Sequence, residues 1–149
     1  FKGTKRRFEK IGENQKITIY DDYAHHPTEI KATLGAARKW FGPAKRLIAI
    51  FQPHTFSRTK YLLKDFGLAF QDADMVVIAP IYASAREEKD PLITPAVLAQ
   101  EISKHQKEVY FVDNLKDLAP LIKKITQRGD IVFTIGAGDI WKVGKKLLK

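Results

Sequence analysis

The chain has 149 residues, 44% of them hydrophobic and 29% charged, which suits one domain with a core large enough to fold unaided and leaves little room for a second. No apolar run approaches the roughly 20 residues of a membrane span, and no basic-then-apolar leader opens the sequence, so a cytoplasmic domain with no membrane partner is expected. The absence of cysteine excludes disulfides and thiolate chemistry.

The net charge of +9 gathers at the two ends, in Lys2, Lys5, Arg6, Arg7 and Lys10, then in Lys142, Lys145, Lys146 and Lys149. Aromatic residues do not interleave with these clusters as a base-stacking platform requires, so solvated ends are expected and no nucleic-acid partner. The sequence starts at Phe1 instead of Met, which raises the expectation of a piece of a longer protein.

Phe8 to Ile11 and Ile17 to Tyr20 flank the turn-forming Gly12-Glu13-Asn14-Gln15, a hairpin pattern. A helix is predicted next, capped by His26, with Pro27 at its first position, Glu29 in its positive first turn, and Ile30, Leu34, Ala37 and Phe41 on one face; Gly42-Pro43 stops it. Leu47 to Phe51 is an apolar run of strand length. Ser57 is the expected cap of a helix carrying Tyr61, Leu62, Phe66, Ala69 and Phe70.

Met75 to Ala79 reads as a buried strand, followed by a loop from Pro80 to Ile93 and a helix opened by Thr94-Pro95. Val109 to Val112 is a short strand, Asp113 or Asn114 caps a helix through Ile125, and Gly129 precedes the strand Ile131 to Ile135. Gly136-Ala137-Gly138 then leads into the last helix. Strands that alternate with helices and are apolar throughout belong to a parallel sheet covered on both faces. The expected fold is a three-layer, Rossmann-like α/β domain: a mostly parallel six-stranded sheet with one antiparallel strand from the N-terminal hairpin.

In such sheets ligands bind beyond the carboxyl ends of the strands. Two predicted loops there hold three of the four histidines: Asp21-Asp22-Tyr23-Ala24-His25-His26 and Gln52-Pro53-His54-Thr55-Phe56-Ser57-Arg58. Neighbouring side chains of an extended segment point apart, so hydrogen bonding, and no metal site, is expected of the histidine pair. Taken alone, Asp22 reads as a loop residue bonded to nearby backbone amides. Arg58, a cation in the first turn of a helix, opposes the helix dipole and asks for an anionic partner. Gly136-Ala137-Gly138 lacks the third small residue of a dinucleotide fingerprint, because Trp141 stands there, and no phosphate loop of the G-x-x-x-x-G-K-[ST] type occurs.

The run DDYAHHPTEI at residues 21–30 resembles a signature of the Mur ligase family, in its alanine-adding branch. Gly3-Thr4-Lys5-Arg6-Arg7-Phe8-Glu9, Phe51 to Thr59, and Gly136 to Trp141 are similar to further family segments, in the same order. The resemblance spans the chain. It implies the third domain of a three-domain, ATP-dependent ligase of peptidoglycan precursor synthesis, whose UDP-sugar and central ATPase domains are absent here and are the domain's own partners.

The implied substrates are UDP-N-acetylmuramate and L-alanine, with ATP and Mg2+ held mainly by the central domain, and the isolated domain is expected to be inactive. The muramate carboxylate becomes an acyl phosphate, which the alanine amine attacks. By resemblance, Arg7 and Asp22 are the cofactor-binding residues, contacting the nucleotide. Tyr23, His25, His54 and Arg58 surround the incoming alanine, with Arg58 on its carboxylate and His25 or His54 as the catalytic base. Relatives carry a basic residue where this chain has Thr55, which implies a clamp with one charge fewer. A tripeptide-recycling murein peptide ligase and a non-catalytic nucleotide-binding module are the alternative readings.

Overall fold

The computed structural model describes residues 4–149 and forms one six-stranded sheet in the order β1-β2-β6-β3-β4-β5. The strands are β1 (Glu9–Glu13), β2 (Ile17–Asp22), β3 (Leu47–Phe51), β4 (Met75–Ile78), β5 (Val109–Phe111) and β6 (Asp130–Ile135). β1 pairs antiparallel with β2, and all other neighbours are parallel, as the hairpin and the alternating pattern lead one to expect. Lys2 of the basic amino-terminal cluster and Gly3 of the first family-like segment lie outside the described residues.

Every residue of β3, β4 and β6 is buried; β3 and β4 are accordingly unbroken apolar runs in the sequence, while β6 also buries Asp130 and Thr134, each with a hydrogen-bond partner. Their alternate side chains enter two separate cores. On one face, Leu47, Ala49 and Phe51 pack with Ile30 and Leu34 of α1 (Pro27–Phe41), Phe66 of α3 (Leu63–Gly67) and Leu98 of α4 (Pro95–Ser103). On the other, Ile48 and Ile50 pack with Leu118 and Ile122 of α5 (Leu118–Ile125) and Val143 and Leu147 of α6 (Trp141–Leu147). Three layers result. No helix among the described residues is long and apolar enough to cross a membrane.

Several local expectations need correction. Gly12 and Glu13 belong to β1, which tolerates a register shift between Lys10 and Gly12, and the turn shrinks to the residues around Asn14, whose Oδ1 accepts from the amides of Lys16 and Ile17. The helix expected after β3 is broken at Leu62 into α2 (Phe56–Tyr61) and α3, and Tyr61 is 87% exposed instead of packed. Its cap is Thr55, not Ser57: the Thr55 hydroxyl accepts from the Arg58 amide at 3.3 Å. A 3-10 turn, Leu115–Asp117, precedes α5, and Asn114 makes no side-chain capping bond.

The order of the strands decides where a ligand can enter. From β2 the chain crosses to β3, steps outward through β4 and β5, and returns to insert β6 between β2 and β3. Helices therefore leave in opposite directions around β6, and a crevice opens beyond the carboxyl ends of β2, β6 and β3.

At the opposite ends of the same strands, the Arg46 fork donates to Asp130 through Nε at 3.0 Å and Nη2 at 2.8 Å, with Nη2 also reaching the Ile125 carbonyl. The Asp130 hydrogen bond holds the guanidinium above its ordinary pKa despite partial desolvation. Because the Asp130 side chain is only 3% exposed, removing its partner strands a buried charge. We expect Arg46→Ala to lower the unfolding free energy by about 2–4 kcal/mol in urea denaturation, and Arg46→Lys to recover only part of it because a lysine lacks the second prong.

Candidate active site

The segment entering β1 lies across the crevice. Arg6 Nε donates to Asp21 Oδ2 at 2.8 Å, Nη2 to the Gly136 carbonyl at 2.7 Å, and Nη1 to the Gly138 carbonyl at 3.1 Å. The Arg6 carbonyl accepts from the Tyr23 amide at 2.7 Å, and its guanidinium sits 5.2 Å from the Tyr23 ring centroid. Arg6 and Phe8 have φ of 59° and 44°, a sparsely populated region for residues with a Cβ. Asp22 accepts from the Phe8 amide with one oxygen and from the Ala24 amide with the other, both at 2.9 Å, and so sets the turn that presents Tyr23 and His25.

His26 caps α1 as expected, and the cap is a reciprocal box. Its Nδ1 accepts from the Thr28 amide at 3.2 Å while Glu29 Oε1 accepts from the His26 amide at 3.0 Å. Burial alone would raise the Glu29 pKa, but the amides of His26 and His25, with His25 and Arg7 nearby, hold it below the usual carboxylate value. His25 sits over this carboxylate, Nδ1 being 3.6 Å from Glu29 Oε1 and 3.1 Å from the Tyr23 carbonyl. Arg7 lies at the same helix start, 4.0 Å from Glu29 Oε2, with 56% of its side chain exposed.

The second loop is anchored from outside. The Thr55 amide donates to the Tyr82 carbonyl and the Tyr82 amide to the Pro53 carbonyl, which stacks the His54 ring on Tyr82 at 5.6 Å. Thr55 has φ of 65°, a strained turn for a β-branched residue. Glu87, from the loop after β4, accepts from the Ser57 amide at 2.7 Å and the Phe56 amide at 2.9 Å. Its carboxylate thus sits at the positive amino terminus of α2.

His54 Nδ1 is buried without a hydrogen-bond partner among the described residues, as is Gln52 Oε1. Desolvation first, then the charges of Arg58 and His25, push the His54 pKa down, with Glu87 opposing. Arg58 shares a shallow cleft with His26, Ser57, Tyr61 and Leu62. Among the described residues its guanidinium has no hydrogen-bond or ion-pair partner.

Tyr23 thus meets His25, and His54 lies within electrostatic reach of both His25 and Arg58, while Arg7 stands at the α1 start and Asp22 ends β2. Arg6, Asp21 and Glu87 escaped the sequence reading. Arg6 and Asp21 are overshadowed by Arg7 and Asp22 next to them, and nothing local ties Glu87 to a loop 30 residues earlier. Among the described residues no three His, Asp or Glu side chains gather as a metal cage, and both Asp21 oxygens are taken, one by Arg6 and one by Thr134.

Residues 6–138 match the model of the Mur ligase, glutamate ligase domain, and the chain belongs to this family. Its similarity is to the alanine-adding members in particular. It is 51% identical to the UDP-N-acetylmuramate–L-alanine ligase of Desulfitobacterium hafniense over 99% of this chain and 33% of that protein. The crystal structure of the UDP-N-acetylmuramate-alanine ligase of Thermotoga maritima superposes with a TM-score of 0.79 at 30% identity, covering 99% of this chain and 30% of that one. A domain from a putative UDP-N-acetylmuramate:L-alanyl-gamma-D-glutamyl-meso-diaminopimelate ligase of Haemophilus ducreyi gives 0.72 at 26% identity, covering 95% and 97%. The chain spans about a third of the length of the curated relatives it matches.

Two outcomes test this geometry. Arg6→Ala is expected to cost about 3–5 kcal/mol in urea denaturation, because the Asp21 side chain is 1% exposed, whereas Arg7→Ala at an exposed position changes stability by less than about 0.5 kcal/mol. For the capping box, Glu29 has a folded pKa below its ordinary 4.5, so its contribution is full above that value and is lost as the pH falls through the folded one. The stability gap between wild type and Glu29→Ala, about 1 kcal/mol at pH 7, should narrow in thermal melts as the pH falls from the ordinary carboxylate value through the lower folded one.

Proposed function

We propose that this chain is the carboxy-terminal domain of an ATP-dependent ligase that joins L-alanine to UDP-N-acetylmuramate in peptidoglycan precursor synthesis, in the cytoplasm. The observation that carries the reading is Arg58. A guanidinium without a partner among the described residues, beside two imidazoles at the carboxyl ends of β2 and β3, suits a small amino acid whose carboxylate is clamped and whose amine is deprotonated. The names and identities of the alanine-adding relatives support it.

In this reading Arg58 takes the alanine carboxylate, and Tyr23, His25 and His54 enclose the amine. Arg7, half exposed and only loosely paired with Glu29, suits the phosphates of a nucleotide held by a neighbouring domain. Asp22 retains free lone pairs on the oxygens that hold the Phe8 and Ala24 amides, so it can accept a further hydroxyl from that nucleotide while it fixes the turn. ATP with Mg2+, bound by the remainder of the protein, supplies the phosphoryl group that activates the muramate carboxylate. The role of this domain is to bring the amine to the acyl carbon and exclude water.

In the full-length protein, Arg58→Ala should raise KM for alanine by about 10- to 100-fold, the value of a charge-assisted hydrogen-bonded pair, with a smaller effect on kcat. An unchanged KM for alanine rejects the clamp. Steady-state assays offering alanine and the preformed tripeptide in parallel decide the branch, and we expect alanine to be used. The 149-residue chain alone should form no amide.

A further inference from the structure

Two histidines border the same space, and their second ring nitrogens are held differently. His25 Nδ1 lies 3.1 Å from the Tyr23 carbonyl, which can only accept, so in the neutral ring the proton sits on Nδ1 and Nε2 carries a bare lone pair. Glu29 stands 3.6 Å behind that same Nδ1, and Tyr23 meets the ring edge-on at 5.3 Å. His54 is the reverse. Its Nδ1 is buried and has no partner among the described residues. A stranded N–H there costs more than a stranded lone pair, which leaves Nδ1 bare and puts the proton on Nε2, the nitrogen that solvent reaches.

We propose that His25 is the general base of the amide-forming step and that His54 stays neutral beside it as a hydrogen-bond donor. The assignment rests on the ligase reading of this site. One ammonium proton of the incoming amino acid passes to His25 Nε2. The nitrogen lone pair so freed forms the C–N bond to the acyl carbon, and the carbonyl π pair moves to oxygen. As that pair returns, the C–O bond to phosphate breaks, and the second N–H proton leaves with the departing phosphate.

The imidazolium formed at His25 is doubly supported, since its Nδ1–H already points at the Tyr23 carbonyl and lies near the Glu29 carboxylate, the arrangement by which a carbonyl or carboxylate orients and stabilises a catalytic histidine. His54 faces Arg58 and His25, with Glu87 the nearest anion, and desolvation adds to the resistance of its ring to a second proton. Arg7 lies on the far side of Glu29, which it helps to keep ionised. A neutral Nε2–H on His54 can steady the oxygen that gains charge as the C–N bond forms.

The tautomers can be read directly by long-range 1H–15N NMR of the imidazole rings in this chain at alkaline pH, where both rings are neutral. The expected result is a proton on Nδ1 of His25 and on Nε2 of His54; a His25 proton on Nε2 overturns the assignment whatever the amine. In the full-length protein, His25→Gln should lower kcat by about 10²- to 10⁴-fold and abolish the acid-side decline of kcat/KM, at an unchanged melting temperature. His54→Gln, which keeps a donor, should lower the rate but retain that decline. Loss of the acid limb in His54→Gln together with its retention in His25→Gln overturns the proposal. Failure of alanine ligation with both tautomers as expected overturns the ligase reading alone.

Discussion

A buried carboxylate needs a partner, and the site is organised around one such pair. Asp21 is fully buried at the carboxyl end of β2, where the Thr134 hydroxyl donates to one oxygen at 2.6 Å and the Arg6 fork takes the other. The same fork reaches the carbonyls of Gly136 and Gly138, so a single guanidinium ties the entering segment, the end of β2 and the loop after β6 into one unit. The backbone conformation of Arg6 and Phe8 is unfavourable by itself, at about 1–3 kcal/mol per residue, and the ion pair and the seating of the Phe8 ring on Tyr20 and Phe133 offset it.

From this unit the constraint passes to the second loop by contact. Gly136 has φ of 147°, and a Cβ on it would come within 2.7 Å of the Gln52 carbonyl, so the loops after β6 and β3 can approach this closely only because a glycine stands there. Gln52 leads into Pro53, His54 and the strained Thr55, a segment that hydrogen bonds to Tyr82 and Glu87 hold in place. The two histidines therefore sit on loops that are each fixed by backbone hydrogen bonds to distant segments. Side chains held in this way are oriented before any ligand arrives, which lowers the entropic cost of binding one.

Most elements were legible because their signals are local. Buried parallel strands are continuous apolar runs, and the run Leu47 to Phe51 coincides with β3. The His26-Pro27-Glu29 cap also announces itself, because a capping box needs only four consecutive residues. The misses are local signals outweighed by distant ones. Ser57 is a good cap by residue type, yet Glu87 reaches its amide from 30 residues away and the cap shifts to Thr55. Tyr61 fits the helical period of its neighbours, yet the helix breaks at Leu62 and leaves it in solvent.

Local chemistry was enough to specify the layered α/β fold, the hairpin edge and the two loops that carry the candidate site, because apolar period, caps and turn residues act over a few positions and do not depend on what they pack against. Long-range packing alone makes Arg6 the buried fork and Arg7 the exposed neighbour, lets Glu87 close the second loop, and sets the surroundings of each histidine Nδ1. These depend on partners brought together across the sheet by the insertion of β6 between β2 and β3, where burial and hydrogen-bond geometry, not residue type, select each side chain's partner.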